Sequence, residues 1–202
     1  MNNSTQIQLL TPQHWKDYEL IDCGDFEKLE RFGDLILIRP EPQAVWPKSL
    51  SEGEWNKRYH IKFKGRSATS GEWLKKNPKA ADRWHIEYKN SDVAIRFRLG
   101  LTSFKHVGIF PEQAVNWDYI SNSIKSFKTP KPKVLNLFAY TGGASLIAKA
   151  AGADTTHVDS IKQVVTWANE NQELSELQDI RWVVEDALKF VKRELKRGNT
   201  YN

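Results

Sequence analysis

Three short segments of the sequence carry residue types that can bind a ligand, and each directly follows an apolar run. The first, Asn136 to Gly143, ends in two glycines and leads into a helical pattern. Glycines let the backbone approach a ligand closely, and the N-terminus of a helix offers free N–H groups. The segment lacks the G-x-G-x-x-G pattern, which disfavours a pyrophosphate cradle, and an ordinary strand-to-helix turn remains an alternative.

The other two segments are built around acidic residues. Asp159 ends the second apolar run, sixteen residues after Gly143, and Asp186 ends the third. A carboxylate can accept both hydroxyls of a ribose, at roughly 1.5 to 3 kcal/mol for each charge-assisted hydrogen bond, and it can also accept from the exocyclic amine of an adenine. Each acid alone is equally well explained as a helix N-cap. A single nucleoside site would account for all three segments together.

The elements around these segments alternate between strand and helix. The predicted strands are 134–138, 155–158 and 180–184, and the predicted helices are 144–151, 160–174 and 187–197. Such alternation predicts an α/β fold with a parallel, doubly wound, Rossmann-like sheet, here its first three βα units, and ligands bind at the carboxyl ends of such strands. The site should therefore be assembled from residues 136–143, 159–160 and 185–187.

The preceding part of the chain has the pattern of β-strands. Short apolar runs or period-2 alternation mark 18–22, 34–39, 60–64, 84–89 and 93–99. Alternation of this kind predicts an antiparallel sheet with one face in water, and Asn90-Ser91 reads as a hairpin turn.

After Gly108 the apolar period changes from two to 3.6. Pro111 suits a first helical position, and an apolar stripe then predicts a buried helix face. The stripe consists of Trp117, Ile120, Ile124 and Phe127. We therefore predict a β-rich domain over residues 1–105 and an α/β domain over 106–202.

Positive charge is concentrated in one stretch. Residues 57–105 contain thirteen Lys and Arg against four Asp and Glu, a net of +9, whereas the whole chain has a formal net charge of +5. Aromatic residues lie in or next to this stretch: Trp55, Tyr59, Trp73, Trp84 and Tyr88. Because phosphate contacts and base stacking need these two residue types, the stretch predicts a nucleic acid as a partner. A solvated sheet face over core aromatics is the alternative.

Composition indicates a globular protein of a reducing compartment. Hydrophobic residues make up 40% of the 202 positions, and the single cysteine, Cys23, excludes an intrachain disulfide. The first ten residues lack the apolar stretch of a secretory signal, and the longest aliphatic run, 35–38, is far shorter than the about 20 residues that span a bilayer. We predict a cytoplasmic protein without a membrane partner, in which Cys23 is a core or neutral thiol.

The stretch from Lys133 to Gly142 resembles motif I of the class I S-adenosylmethionine-dependent methyltransferases, in the form found in relatives of the large-subunit ribosomal RNA cytosine methyltransferases. The segment from His106 to Gln113 is similar to the one that these proteins place before motif I. Residues 18–22 through 38–40 resemble their N-terminal region. The resemblance covers most of residues 18–190 and is weaker over 50–81.

The resemblance implies S-adenosyl-L-methionine as the cofactor and assigns roles to twelve residues. The methionine part would be surrounded by Asn136, Phe138, Tyr140, Thr141, Gly142 and Gly143. Asp159 would hold the ribose with Ser160 beside it, Asp186 and Ala187 would frame the adenine, and Phe110 and Gln113 would close over the cofactor. For Gln113, an exposed residue of a first helical turn is the alternative.

The resemblance also implies an Asp-Pro-Pro-aromatic loop that contacts the target base and follows a fourth strand. The sequence stops at Tyr201-Asn202, where that strand would begin. Because methyl transfer is a direct displacement that needs the acceptor held in line at about 3 to 3.5 Å, we expect these 202 residues to bind cofactor without turnover. No catalytic or metal-binding residue is assigned.

The predicted function is S-adenosylmethionine-dependent methylation of a ribosomal RNA base. Two alternatives remain from the residues themselves. A nicotinamide-dependent oxidoreductase also has alternating strands and an acid after the second strand, although the first loop argues against it. A non-catalytic nucleic-acid-binding module with a degenerate cofactor fold would also explain the basic stretch.

Overall fold

The N-terminal part of the computed structural model is a five-stranded sheet with one short helix. The structure describes residues 9–12, 15–67 and 70–202, so the first eight residues of the predicted β-rich domain lie outside the described residues. The strands are β1 (Tyr18–Gly24), β2 (Glu27–Phe32), β3 (Leu35–Pro40), β4 (Ile61–Gly65) and β5 (Gly71–Lys75), in that spatial order. Helix α1 (Glu52–Arg58) lies between β3 and β4 in the chain.

The prediction of a purely antiparallel sheet is wrong for one pair of strands. β3 and β4 are parallel, with Leu37 opposite Ile61, whereas the other neighbouring pairs are antiparallel. Parallel neighbours need a crossover, and the connection that contains α1 supplies it. The helix begins with a capping box in which Ser51 Oγ accepts from Glu54 N–H and the Glu54 carboxylate accepts from Ser51 N–H.

A second, two-stranded unit follows the sheet. β6 (Arg83–Lys89) and β7 (Ala94–Gly100) form an antiparallel hairpin, as predicted. The Asn90 side chain accepts hydrogen bonds from the backbone N–H groups of Asp92 and Val93, both at 2.9 Å, which fixes the predicted turn. This local chemistry explains why the sequence indicated the turn so clearly.

A one-turn 3-10 helix (Pro111–Gln113) leads into α2 (Ala114–Ser126). Trp117 and Ile124 of the predicted stripe are buried, and Ile120 is half-buried. Phe127 is 42% exposed, so its predicted burial is wrong. The backbone leaves the helix at this residue with an extended conformation, which removes the ring from the helical stripe.

The C-terminal part has the predicted alternation. Its elements are β8 (Lys133–Leu137), α3 (Gly143–Ala150), β9 (Asp154–Asp159), α4 (Lys162–Leu174), β10 (Arg181–Val184) and α5 (Ala187–Lys196). The strands are parallel in the order β10-β9-β8, so their carboxyl ends meet at one edge. The expected α/β class with a preceding sheet is confirmed.

The core is continuous across the predicted boundary at residue 105. One cluster of buried side chains runs from Phe32 and Leu37 of the N-terminal sheet, through Phe97 of the hairpin, to Leu146 and Ile147 of α3. The boundary itself stays a prediction. Among the residues that the structure describes, no helix combines the length and apolarity needed to cross a membrane.

Candidate cofactor-binding site

The loop between β8 and α3 has an unusual backbone. Phe138 and Tyr140 have φ angles of 55° and 51°, in the left-handed region that bulky side chains rarely adopt. Phe138 is also 81% exposed, although it is a large apolar residue. Strained conformations of this kind cost about 1 to 3 kcal/mol each and cluster at ligand sites, where the surrounding structure enforces them.

Beside this loop lies a pocket of about 510 Å³. It is lined by seven of the eight residues predicted from motif I and the segment before it: Phe110, Gln113, Asn136, Phe138, Tyr140, Thr141 and Gly143. The structure thus brings together two predicted segments that are separated by more than twenty residues of sequence. Gln113 is exposed at the rim, in the 3-10 turn.

Hydrogen bonds fix the loop against its neighbours. The buried Thr141 hydroxyl donates to the Gly108 carbonyl at 2.6 Å, and the Asn171 side-chain amide donates to the Thr141 carbonyl at 3.0 Å. The rings of Phe110 and Tyr140 are 5.1 Å apart. The segment before motif I is therefore held to the loop by a hydrogen bond and by ring packing.

The two glycines of the loop are required by packing within the protein. A Cβ atom on Gly143 would lie 2.8 Å from the Trp117 ring, and one on Gly142, which has a φ of 92°, would lie 3.1 Å from the Ala168 Cβ. Close approach of α2 and α4 to the loop thus explains both positions. Gly143 lines the pocket as well, whereas Gly142 does not.

Asp159 joins the ends of two strands. One carboxylate oxygen accepts from the Tyr140 backbone N–H at 2.9 Å, and the other accepts from the Ile161 N–H at 3.0 Å. Each carboxylate oxygen can accept a further hydrogen bond, so the group can still receive a ribose hydroxyl. Asp159 is half-buried and Ser160 is exposed beside it.

Asp186 has the alternative role that the sequence left open. Its carboxylate caps α5 by accepting from the Lys189 N–H at 2.9 Å, and Ala187 begins the helix with its side chain buried. Both residues lie at the carboxyl end of β10, next to the Asp159 edge. None of Asp159, Ser160, Asp186 and Ala187 lines the 510 Å³ pocket.

Two apolar residues at the same edge escaped the sequence analysis. Ile161 is 54% exposed after β9, and Val184 is 51% exposed at the end of β10, opposite Asp159 in the strand register. Exposed aliphatic side chains next to a carboxylate suit the faces of a planar base. An apolar residue within two positions of each strand-end acid was the available signal.

A buried polar row runs inward from the pocket. The Asn136 side-chain amide donates to Ser145 Oγ at 2.9 Å, and Ser145 Oγ shares a hydrogen bond with His157 Nδ1 at 3.0 Å. Burial lowers the pKa of His157 to about 4, against a smaller opposing effect of Asp159, so the imidazole is neutral at pH 7. The amide nitrogen of Asn136 therefore donates to a group in the protein interior and not to the pocket.

A buried ion pair supports the segment before motif I from the N-terminal sheet. Arg39 and Glu30, 3% and 0% exposed, form two hydrogen bonds of 2.8 and 2.9 Å. Arg39 also donates to the Lys105 carbonyl at 3.2 Å. His106 is the next residue in the chain, and burial together with the positive charges of Arg39 and Lys105 lowers its pKa.

The aromatic residues of the basic stretch do not form the predicted stacking surface. Trp55 and Tyr88 are 1% and 2% exposed, and the Trp73 indole donates to the Thr102 carbonyl. Tyr59, Trp73 and Trp84 are half-buried. Strands β5 and β6 place Trp73, Trp84 and Tyr88 on the core side, and Trp55 of α1 and Tyr59 after it pack in a core cluster. The stretch therefore has core aromatics beneath its charges, as the alternative proposed.

Comparison with known proteins assigns the class. A solved S-adenosylmethionine-dependent methyltransferase from Agrobacterium tumefaciens is 40% identical, with a TM-score of 0.87, over 97% of this chain and 61% of that one. No family model matches the chain. The protein has the fold of the class I S-adenosylmethionine-dependent methyltransferases and is related to them. This finding favours the methyltransferase prediction over both alternatives.

Two curated relatives indicate which methyltransferases the chain is related to. The chain is 26% identical over 165 residues to "Ribosomal RNA large subunit methyltransferase K/L" of Shewanella frigidimarina, and 30% identical over 165 residues to the protein of the same name from Shewanella sp. strain W3-18-1. Each match covers 80% of this chain, and the chain spans about a fifth of the length of these relatives. The chain is thus related to the ribosomal RNA methyltransferases.

Proposed function

We propose that the chain binds S-adenosyl-L-methionine at the carboxyl ends of β8, β9 and β10 and forms part of an enzyme that methylates RNA. The observation that carries the proposal is the 510 Å³ pocket, in which Phe110 and Gln113 meet the residues of motif I. Concave sites with apolar walls and a few polar groups at strand ends are typical of cofactor binding.

The pocket suits the methionine part of the cofactor. Phe110, Phe138 and Tyr140 supply aromatic wall, and the peptide groups of the loop supply polar contacts. Burial raises the pKa of the Tyr140 phenol, so this side chain stays uncharged at neutral pH. We assign the closing role to Phe110 and Gln113, which the Arg39–Lys105 contact and the Thr141–Gly108 hydrogen bond hold in place.

The adjoining edge suits the adenosine part. Asp159 has acceptor capacity left for the ribose hydroxyls, with Ser160 exposed next to it. Asp186 caps α5 with one oxygen, which leaves the other oxygen to accept from an adenine amine. Ile161 and Val184 would cover the faces of the base.

The bound cofactor would supply an electrophilic methyl group on a sulfonium. The contribution of the chain is to orient that group and to exclude water on the side of Phe110 and Tyr140. Positioning of this kind accounts for a large share of the acceleration in a direct displacement.

RNA is the proposed acceptor class, with a base of ribosomal RNA as the specific expectation. It is supported by the names of the relatives and by the net charge of +9 over residues 57–105. A cytoplasmic location and the division into domains 1–105 and 106–202 belong to the same proposal. The free thiol of Cys23 fits a reducing compartment.

Calorimetric titration of the chain with S-adenosylhomocysteine and with NAD tests the proposal. We expect binding of the former and none of the latter. Asp159→Asn should weaken binding of S-adenosylhomocysteine by roughly 1.5 to 3 kcal/mol, about 10- to 150-fold, because it removes a charge from the ribose acceptor. Asp154→Asn, at the opposite end of the same strand, is the matched control and should bind as the wild type does. Preference for NAD, or equal affinities of wild type and Asp159→Asn, would refute the site.

A further inference from the structure

A second groove, of about 560 Å³, lies on the N-terminal sheet between the β1–β2 turn, β4 and the segment after β7. Two aromatic residues line it although they are far from buried: Phe26 is 58% exposed and Phe104 is 51% exposed. Lys62, Lys64 and Lys105 line it as well. We call it the Phe26 groove. The groove has exposed aromatic rings next to cations. The aromatic residues predicted to stack on bases do not form such a surface, because they are buried or half-buried.

Phe26 is held outward by a strained turn. Asp25 and Phe26 form the two-residue loop between β1 and β2, with φ angles of 48° and 64°. Such a loop strongly favours Gly at its second position, and a bulky residue there is an outlier. Backbone hydrogen bonds fix the loop, since Phe26 N–H donates to the Ala44 carbonyl at 2.8 Å and the Phe26 carbonyl accepts from Glu41 N–H at 2.7 Å. The fold thus maintains an unfavourable conformation that presents a ring to solvent.

Phe104 is also fixed in its exposed position. Its backbone N–H donates to Thr102 Oγ1 at 3.1 Å, and the same hydroxyl lies 3.1 Å from the His106 carbonyl. The Ser103 carbonyl accepts from the Gly71 N–H of β5 at 3.0 Å. Rigid aromatic side chains bind planar groups with little loss of conformational entropy.

The charge of the Phe26 groove is positive. Its one carboxylate, Glu27, pairs with Lys62 at 2.7 Å and with Lys48 at 3.0 Å. Burial raises the pKa of Glu27, but these two lysines outweigh the effect and keep the pKa low. Lys64 is exposed. Three lysines against one neutralised acid complement a chain of phosphates.

The Phe26 groove leads towards the cofactor pocket. Pro40, Lys105 and His106 line both this groove and a small cavity of about 70 Å³, and that cavity shares Phe110 and Glu112 with the 510 Å³ pocket. Ring contacts follow the same path, at 5.0 Å from His106 to Phe110 and 5.1 Å from Phe110 to Tyr140.

We propose that the Phe26 groove binds single-stranded RNA, with bases stacked on Phe26 and Phe104 and phosphates at Lys62, Lys64 and Lys105, and that it directs the acceptor base to the cofactor pocket. The second half of this inference rests on the proposed function. Single-stranded RNA is the occupant because only unpaired bases expose their faces to aromatic side chains, and the lysines complement its backbone.

Fluorescence anisotropy with a labelled 12-nucleotide single-stranded RNA tests the inference on the full chain. Phe26→Gly restores the residue that the turn favours, so it should raise the melting temperature while weakening RNA binding about 5- to 100-fold, the range for loss of one stacked base. Phe104→Leu should weaken binding by a similar factor. Phe127→Leu changes an exposed phenylalanine that does not line the groove, and it should bind like the wild type. Lys64→Gln should lower the slope of log affinity against log salt by about 0.7.

Each contrary result has a distinct meaning. Unchanged RNA affinity in Phe26→Gly and Phe104→Leu would overturn the proposal that the Phe26 groove binds single-stranded RNA. Equal affinity for a duplex of the same length would overturn it as well. If a polyglutamate peptide competes as strongly as unlabelled RNA does, base stacking does not contribute to binding. The groove would then be a surface that binds acidic proteins through charge. Calorimetry with S-adenosylhomocysteine on the same variants separates the two proposals, because groove variants should bind it normally. Failure of cofactor binding in the wild type would remove the proposed function and leave the RNA result standing.

Discussion

The carboxylate of Asp159 accepts a hydrogen bond from the backbone N–H of Tyr140, with 2.9 Å between Oδ2 and the nitrogen. This contact ties the end of β9 to the loop after β8, and the other oxygen of the same group receives Ile161 N–H. The residue predicted to hold the ribose therefore also shapes the loop predicted to surround the methionine part. Loss of the carboxylate should disturb both parts of the candidate site.

Asp159→Ala should lower the free energy of unfolding by about 1 to 3 kcal/mol, because the N–H groups of Tyr140 and Ile161 lose their acceptor. Amide hydrogen exchange should accelerate across residues 136–143. Asp159→Asn retains a carbonyl acceptor, so its stability should lie between those of the wild type and Asp159→Ala. Urea unfolding of the three proteins checks this order. Exchange in Asp159→Ala at the wild-type rate would show that the loop holds its conformation without this contact.

The buried imidazole of His157 should make the protein acid-sensitive. Its pKa falls from 6.5 to about 4 on folding because burial disfavours the charged form. Between pH 6.5 and 4 the unfolded chain binds a proton that the folded chain does not, so stability decreases as the pH falls, by at most about 1.4 kcal/mol per pH unit. Urea unfolding at pH 7.5 and 5 measures this loss.

His157→Gln removes this titrating group and should reduce the pH dependence across that window, leaving the contribution of His106, whose pKa is also lowered. His85→Gln, which changes an exposed histidine, should leave the profile as it is in the wild type. A wild-type protein equally stable at both pH values would contradict the neutral buried imidazole.

Glu194 organises the chain after α5. Its buried carboxylate accepts hydrogen bonds from Tyr201 at 2.8 Å, Asn199 at 2.9 Å and Arg181 at 3.3 Å. Burial raises its pKa, but these hydrogen bonds outweigh that effect and hold the pKa at about 2. Since the folded pKa lies below the usual 4.5, this stabilisation is present above pH 4.5 and is lost as the pH falls towards 2.

Glu194→Ala should therefore lower the free energy of unfolding at pH 7 by roughly 1.5 to 3 kcal/mol, because four donors, these three and Arg197, lose a charged acceptor. Glu173→Ala, on the exposed side of α4, is the control and should stay within about 0.5 kcal/mol of the wild type. Denaturant unfolding of both variants at pH 7 and pH 3 measures the difference. The penalty for Glu194→Ala should shrink at the lower pH, and a penalty that grows there would contradict the assigned pKa.

The features predicted from sequence are those encoded locally. The three βα units, the Asn90 turn and the strand-end acids each depend on residues close together in the chain. Helix α1 was missed although Ser51 and Glu54 have the spacing of a capping box, because the helix has only seven residues. Strand β2 was missed because its sequence, Glu-Lys-Leu-Glu-Arg-Phe, has too few apolar residues for alternation to be visible.

Features that depend on contacts between residues far apart in the chain could not be predicted from the sequence. Glu30 reads as a surface residue, yet it is buried against Arg39 of the neighbouring strand and Tyr18 of the other one. The stacking role predicted for Trp55 and Tyr88 failed because charge and aromatic content do not reveal which sheet face is covered. Phe26 was overlooked for the same reason, since its exposure follows from the conformation of a turn.

Gly108 tests the link between the segment before motif I and the α/β part. Its φ is 101°, its carbonyl accepts from the Thr141 hydroxyl, and a Cβ atom at this position would overlap the Trp167 ring of α4. Gly152 has a similar φ of 105°, but no atom of the described residues lies within 4 Å of such a Cβ. The two sites share the conformational strain and differ in the steric clash.

Gly152→Ala should cost about 1 to 2 kcal/mol, the penalty for a left-handed conformation alone. Gly108→Ala should cost more, since the packed Trp167 ring, whose indole N–H donates to the Arg98 carbonyl at 2.8 Å, must shift. Because that shift also moves Phe110 and Thr141, Gly108→Ala should weaken S-adenosylhomocysteine at temperatures where the variant is still folded, whereas Gly152→Ala should not. Denaturant unfolding and calorimetry on both variants give the comparison. Equal stability and equal affinity of the two would show that the segment before motif I does not transmit packing changes to the pocket.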